Sequence, residues 1–568
     1  VAFTVTVKSG SAPLSGATVQ LYAAGTTGNG SAPTSLLTTS VATSTTGVAA
    51  IPAGYTCPST NSLVYLVARG GAISSGSANA NTVLMTAIGA CSTITASSSF
   101  LVDEATTVAA LYPLAPFYAA GGNIGATATN STGLTNAFQT AYYLASPYAG
   151  NVPILVPVNV TYYPARVNSV ANLLHTCVAA ATACAKLYST IGTSATNTLD
   201  ALFTLVKNPA TNTAALYTLA ATDATYTPAL TKAPADFTMF FTIAGGGMVN
   251  PTGLGIDSSG NVWVASYFSI ASKFTSQGSP VFANGLTGSG LNSSYGLAVD
   301  ASDNAWIPNE QPYTGSSTGS VSVLTSTGTS AAGTTGYLNG GIFYPHAVAI
   351  DPNGTTWVVD YGNSHLTLLN SSGTPLSGTT GFSAASIAFP VVVAVDGNHF
   401  GWVGDQNDYN VTKVAPDGSA FTAYNCCYGA SGIAIDQSNN VWISNFYGNS
   451  VSMISAAGVI VSNQAYTANG TLSHPQGIAV DGAGNIWLSN YRAPYLTELA
   501  GASASVPGAA LTPASGFGSD AGLVEAYALA IDASGNIWVS NYASSTITKF
   551  IGLATPVKTP LLGIPKLP

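Results

Sequence analysis

Ala533–Tyr542 reads ASGNIWVSNY, and Gly482–Tyr491 reads GAGNIWLSNY almost identically. Extending this pair in both directions brings seven segments into register without gaps. They are GLGIDSSGNVWVAS, GLAVDASDNAWIPN, AVAIDPNGTTWVVD, VVAVDGNHFGWVGD, GIAIDQSNNVWISN, GIAVDGAGNIWLSN and ALAIDASGNIWVSN. Each carries one aspartate: Asp257, Asp300, Asp351, Asp396, Asp436, Asp481 and Asp532. Six residues after each stands a tryptophan: Trp263, Trp306, Trp357, Trp402, Trp442, Trp487 and Trp538, which are all 7 in the chain. The spacing runs from 40 residues (Asp396 to Asp436) to 51 (Asp300 to Asp351), the length of a four-stranded propeller blade. Within a unit the residues predict an apolar strand, a tight turn on Gly, Asn or Asp, and a second strand bearing the Trp. Two outer strands follow, as in SVSMIS and VIVSNQAY. Both faces of such sheets pack on neighbours, so the strands are apolar at nearly every position.

The seventh unit leaves little chain for a fourth strand after TITKF. The apolar run FTMFFTIAGG, Phe237–Gly246, precedes the first unit without a partner. It is expected to complete the last blade, which removes an exposed sheet edge.

Upstream the pattern changes twice. Residues 1–100 alternate as strands in VAFTVTV, ATVQLYAAG and LVYLVARGG. Residues 101–235 turn to helical spacing: Asp103 is placed to cap DEATTVAALYPL, Thr132 to cap GLTNAFQTAYYLA, and VNSVANLLHTC and NTLDALFTLVKN follow. The expected organisation is a β-sandwich (1–100), an α-helical module (101–235), a propeller (236–552, with 237–246 closing it) and a Pro-rich tail (553–568).

The propeller units resemble NHL repeats over residues 237–550, with Trp where many members have Tyr. SAPLSGATVQLYAAG resembles the first hairpin of carboxypeptidase-regulatory-like and related immunoglobulin-like sandwiches. Together with FLVDEATTVAALYPLAPF, IGATATNSTGLTNAF and VNSVANLLHTC, the chain resembles large secreted bacterial proteins that join these modules. The resemblance implies a mainly β fold: a seven-bladed NHL-type β-propeller preceded by an immunoglobulin-like β-sandwich and a small all-α module.

Only 12 basic and 21 acidic residues are present, 6% of the chain, with net charge −9, where about 25% charged is usual. No basic stripe exists for nucleic acid or anionic lipid, and no apolar run reaches a membrane span. Six cysteines, Cys57, Cys91, Cys177, Cys184, Cys426 and Cys427, and a Ser/Thr-rich surface point to a secreted or cell-surface protein. The opening strand VAFTVTV fits a chain whose export signal has been removed. Cys57 and Cys91 flank one strand and suit a staple. Cys177 and Cys184 lie about 10.5 Å apart along an unbroken helix, so either the helix breaks and they pair or both thiols are buried. Adjacent Cys426 and Cys427 form a vicinal ring at the surface or cross-link to another chain.

Seven ringed aspartates suggest calcium, but Asp also opens a tight turn by accepting backbone N–H bonds, and that reading is preferred. Three residues after each Trp stand Ser266, Asn309, Asp360, Asp405, Asn445, Asn490 and Asn541. They share a face with the loops leading into each unit, where His346, His474 and Glu525 lie. The repeat pattern is similar to that of the virginiamycin B lyases, propeller enzymes that use His, carboxylate and magnesium on such a face. On that face His346, His474, Asp360, Asp405 and Glu525 are the candidate ligand-binding residues, with nearby tyrosines as platforms; no motif carries the lyases' residues over one by one, and turn-capping Asx residues with loop histidines are the preferred reading. Against an enzyme, no GxSxG, HExxH or phosphate-cradling loop is present, and no cofactor or metal is expected. The sequence therefore favours a non-enzymatic secreted structural or adhesive protein. Its expected partners are further copies of itself, met head to tail through the sandwich and tail, and extracellular polysaccharide or protein. The alternative is a propeller lyase or carbohydrate-binding module.

Overall fold

The computed structural model describes residues 1–73, 76–150, 156–312 and 318–568, with only the backbone of 463–465. The chain is mainly β with six α-helices among the described residues. It divides into two compact units: one of Val1–Phe241 with Ser534–Asn536 and Phe550–Leu553, the other of Thr242–Ala533, Ile537–Lys549 and Ala554–Pro568.

In the first unit, alternation of apolar residues produces two sheets. One carries Phe3–Ser9 between Ser99–Val102 and Val48–Ile51; the other orders Thr18–Ala23, Leu63–Arg69 and Val83–Ala90. Val5, Val7, Val19, Leu21, Val64, Leu66 and Phe100 form one core. Cys57 and Cys91 are bonded beside it. The helices are α1 (Glu104–Leu114), α2 (Ser131–Leu144), α3 (Pro164–Ala179), α4 (Cys184–Ile191), α5 (Thr198–Lys207) and α6 (Thr213–Ala220). Asp103 caps α1 as expected, accepting from Thr106 N at 2.7 Å while Thr106 Oγ1 accepts from Asp103 N. The cap of α2 is Asn130 and not Thr132: its side chain accepts from Gly133 N, and Asn leads Thr as a cap. Asn130 is buried in that role. The helix breaks between Cys177 and Cys184, bending by 116°. Their Cα atoms come to 4.3 Å and the two cysteines are bonded. His175 is a satisfied structural histidine bonded to Asp223.

In the second unit each repeat forms its own small antiparallel sheet. The fifth shows the full pattern: Ala430–Ile435, Val441–Asn445, Ser450–Ile454 and Ile460–Tyr466. The third and fourth repeats also have four strands, whereas in the first, second and sixth the outermost strand is reduced to isolated bridges such as Ala271↔Leu286 and Leu496↔Phe517. In the seventh, the order runs Ala526–Ile531, Ile537–Asn541, Thr546–Phe550. All residues of the seven Trp-bearing strands are buried. Trp263, Trp306, Trp357, Trp402 and Trp442 sit between repeats: Trp402 packs with Ile433 and Val441 of the next repeat, and Trp263 with Val299 and Ile307.

The first strands of consecutive repeats lie side by side, and Ala526–Ile531 of the seventh lies beside Pro251–Ile256 of the first. Their approach is close. A Cβ on Gly432 would stand 2.6 Å from the Gln476 carbonyl oxygen of the neighbouring strand, so glycine is required there. A Pro-rich tail is expected to be mobile unless it docks; here residues 554–568 are seated on their own chain. Val557 N donates to Asp532 O, Thr559 Oγ1 to Asp257 O, and Gly563 N to Ile350 O. Leu562 and Ile564 join the hydrophobic clusters of Trp306 and Trp402.

Candidate functional site

The repeat aspartates are turn formers. In six repeats Oδ1 accepts two backbone N–H bonds, two and four residues on, as Asp436 does from Ser438 and Asn440 at 2.9 Å each. The fixed interval to Trp also acquires a cause that the sequence did not disclose. Oδ2 accepts the indole N–H of Trp306, Trp402, Trp442, Trp487 and Trp538 at 2.9–3.3 Å, so one carboxylate satisfies the turn and the buried ring together. In the other two repeats Oδ2 meets a cation-forming group instead: Lys273 Nζ on Asp257 at 3.0 Å and His399 Nδ1 on Asp351 at 3.0 Å.

In five repeats the polar residue ending the second strand clamps the loop leading into its repeat, whereas the Oδ1 atoms of Asn445 and Asn541 have no partner. Asn309, Asp360, Asp405 and Asn490 each accept a backbone N–H from a residue 17 positions earlier. Asn309, Asn445, Asn490 and Asn541 also donate to a Ser or Thr on the third strand, while Asp360 accepts from Thr367 at 2.7 Å. Asp360 and Asp405 are fully buried, and burial raises the pKa of both: that of Asp360 well above the usual range, that of Asp405 to about 7. Asp405 Oδ1 has no partner.

A carboxyl group with a raised folded-state pKa contributes stability below its unfolded pKa that is lost as pH rises through the folded value. Asp405→Asn, which copies the residue of four other repeats, should therefore stabilise the chain at pH 8 by about 2–4 kcal/mol. The gain at pH 5 should be about half as large or less. Urea unfolding followed by tryptophan fluorescence at both pH values checks this; a gain at pH 8 no larger than at pH 5 would contradict the raised pKa.

The remaining predicted residues do not converge with these. His346 stacks on Tyr295, ring centroids 4.4 Å apart, and its Nδ1 lies 2.9 Å from Val391 O. A carbonyl only accepts, so Nδ1 carries the proton and Nε2 is an acceptor. Burial lowers the imidazole pKa to about 4, keeping the ring neutral. His474 sits at φ 50° with its ring edge-on to Phe446 and a buried, unpartnered Nδ1. Glu525 lies 3.9 Å from Arg492. Among the described residues no three His, Cys, Asp or Glu side chains stand together as a metal site. Cys426 and Cys427 are bonded to each other, so of the two readings the vicinal ring is present. It is buried with Trp402, Val411 and Ile433 rather than held at the surface.

A different set of residues lines the channel between the first strands. Five positions before each repeat aspartate stand Thr252, Tyr295, His346, Val391, Ser431, Gln476 and Tyr527. All seven line a well of about 190 Å³. Most sit at or beside a register shift in the first strand, between Pro251/Gly253, Pro345/Ala347, Pro390/Val392, Ala430/Gly432, Pro475/Ile478 and Ala526/Leu529. A bulge re-aims a side chain, and this one recurs where the side chains meet the channel. Two residues further on, each strand contributes an aliphatic side chain, such as Leu254, Val348 or Ile433, to a collar shared with a second cavity of about 210 Å³. That lower cavity is lined by Val557, Thr559, Leu561, Gly563 and Pro565 of the tail. Only His346 of this ring was singled out from sequence. The signal was present as the alignment column in which the copies disagree.

No protein-family model matches the chain, and no curated protein matches it. Among solved structures, virginiamycin B lyase from Staphylococcus aureus is similar at 16% identity and TM-score 0.44, over 55% of this chain and 98% of its own. A streptogramin B lyase is similar at 15% and 0.43, over 55% and 97%. The WD40 β-propeller domain of Doa1 is similar at 8% and 0.40, over 54% and 94%. This chain is mainly β with propeller-like neighbours.

Proposed function

We propose that the chain is a non-enzymatic secreted structural or adhesive protein of the bacterial cell surface. In this reading the repeats form a seven-bladed NHL-type propeller, preceded by an immunoglobulin-like sandwich and a helical module. One observation carries the proposal. The candidate carboxylates Asp360 and Asp405 are buried against the N–H groups of Phe343 and Ala388, and Glu525 lies beside Arg492. His346 and His474 sit in separate aromatic contacts. With 6% charged residues the surface carries little repulsion between copies. Three disulfides suit an oxidising exterior. Because the tail is seated on its own channel, self-association is assigned to the charge-poor surface of the sandwich rather than to a free tail.

Negative-stain microscopy and sedimentation at high protein concentration test the proposal. Regular multi-copy assemblies are expected, and uniformly monomeric particles would refute self-association. A divalent-ion-dependent turnover that disappears in a His346→Gln/His474→Gln variant would overturn the non-enzymatic reading.

A further inference from the structure

The well at the channel mouth combines features that no blade-forming role requires. Its wall carries three rings, Tyr295, His346 and Tyr527, and its polar groups are uncharged: Thr252, Ser431 and Gln476. Thr252, His346 and Ser431 each donate to a carbonyl of the next repeat, those of Ser294, Val391 and Pro475, at 2.6, 2.9 and 2.7 Å. Their donors hold the ring of strands, and their remaining lone pairs are acceptors. Gln476 adds an amide with both donor and acceptor character, and the tyrosines add hydroxyl groups. Below them the floor is aliphatic and its far side is closed by the tail.

Outside the well the aromatic surface continues. Tyr295 touches Tyr267, which touches Phe268; His346 touches Tyr361, which touches Phe389; Tyr527 touches Tyr491 and Tyr542. Phe268 is 57% exposed and Phe389 48%. A further stack, Tyr409 on Tyr428 at 4.8 Å and 10°, leaves both rings open to solvent at 48% and 38%. Exposed aromatic surface on this scale marks an interaction site.

Charge narrows the ligand. No Lys or Arg lines the well, which disfavours phosphate, sulfate and carboxylate groups. The acidic groups in reach are Glu310, which interacts with Tyr295 and Tyr527, and Glu525, which lies beside Arg492. A cation would find Glu310 alone. Flat rings beside small neutral hydrogen-bonding groups match a sugar, whose C–H faces stack on aromatic rings and whose hydroxyl groups both donate and accept. Size narrows it further. At about 30 Å³ per water the well holds roughly six waters, well short of the roughly 300 Å³ at which drug-sized pockets begin. It fits one sugar ring, with the rest of a chain crossing the exposed rim.

We infer that the channel mouth binds the terminal residue of a neutral polysaccharide, with Tyr295, His346 and Tyr527 as stacking walls and Gln476 as the principal hydrogen-bonding side chain. The inference deepens the adhesive reading above and rests on it. The full chain should be titrated calorimetrically with cellohexaose, maltohexaose and chitohexaose, with heparin as an anionic control. At least one hexaose should bind with Kd at or below about 1 mM, and heparin should not. Tyr295→Ala should weaken binding about tenfold or more and Gln476→Leu about fivefold, with Asp417→Ala, at an exposed turn, unchanged. Urea midpoints must stay within error for the variants to count; if Tyr295→Ala unfolds, Tyr527→Leu and Gln476→Leu carry the test. Hexaose binding that survives these substitutions would overturn the site. A chain that adheres to cells or to itself yet binds none of the three hexaoses would overturn this inference while leaving the adhesive reading standing. A chain that does neither would overturn both.

Discussion

Asp436→Leu should cost the second unit about 3–6 kcal/mol of stability, the larger of two effects expected in the repeats. The substitution removes the acceptor of two turn N–H groups and of the Trp442 indole. Each buried donor left unsatisfied costs about 1–3 kcal/mol. Leucine supplies the volume but none of the hydrogen bonds. Because all 7 tryptophans belong to the repeats, urea unfolding followed by tryptophan fluorescence reports on this unit alone. Ser438→Ala, at an exposed position of the same turn, should leave the midpoint unchanged. EDTA should leave it unchanged too. A midpoint that falls with EDTA and responds only weakly to Asp436→Leu would make the aspartates calcium ligands.

Deleting residues 554–568 should lower stability by about 3–5 kcal/mol and unprotect one end of the channel. Val557 is buried, Leu562 and Ile564 are half-buried among the clusters of Trp306 and Trp402, and a fully buried aliphatic side chain contributes about 1.5–3 kcal/mol. The ordering entropy of the segment offsets part of that gain. Hydrogen exchange should quicken in the amides around Asp257, Ile350, Asp481 and Asp532, where the tail is bonded. The sandwich should be unaffected. An unchanged urea midpoint with unchanged exchange would mean that the tail is not part of the folded unit.

The repeat architecture was legible because packing on both faces leaves a residue pattern at fixed spacing: an aliphatic strand, an Asp turn, then Trp. The bonding logic behind the spacing was not, because the contact from the indole to the carboxylate exists only once the turn has folded back. Asp360 and Asp405 looked like functional departures from Asn, yet they occupy the same loop-clamping position as Asn309 and Asn490. A polar residue at the end of a strand reads alike in sequence whether it faces solvent or a buried amide. The channel ring was hidden for the opposite reason. Thr252, Tyr295, Gln476 and Tyr527 share no residue type, and only the bulge turns them to a common space. Helix boundaries erred by the smallest margin, where Asn130 and Thr132 competed for one cap.

Whether function resides in the variable ring rather than in the repeated carboxylates is decided by a crystal structure of the full chain soaked with the hexaose that binds best. A sugar ring is expected at the channel mouth, stacked on Tyr295 or Tyr527 and within hydrogen-bonding distance of Gln476, with Asp360 and Asp405 still bonded to their loops. Saccharide bound elsewhere with the mouth empty, or a metal ion coordinated by Asp360 or Asp405, would contradict it.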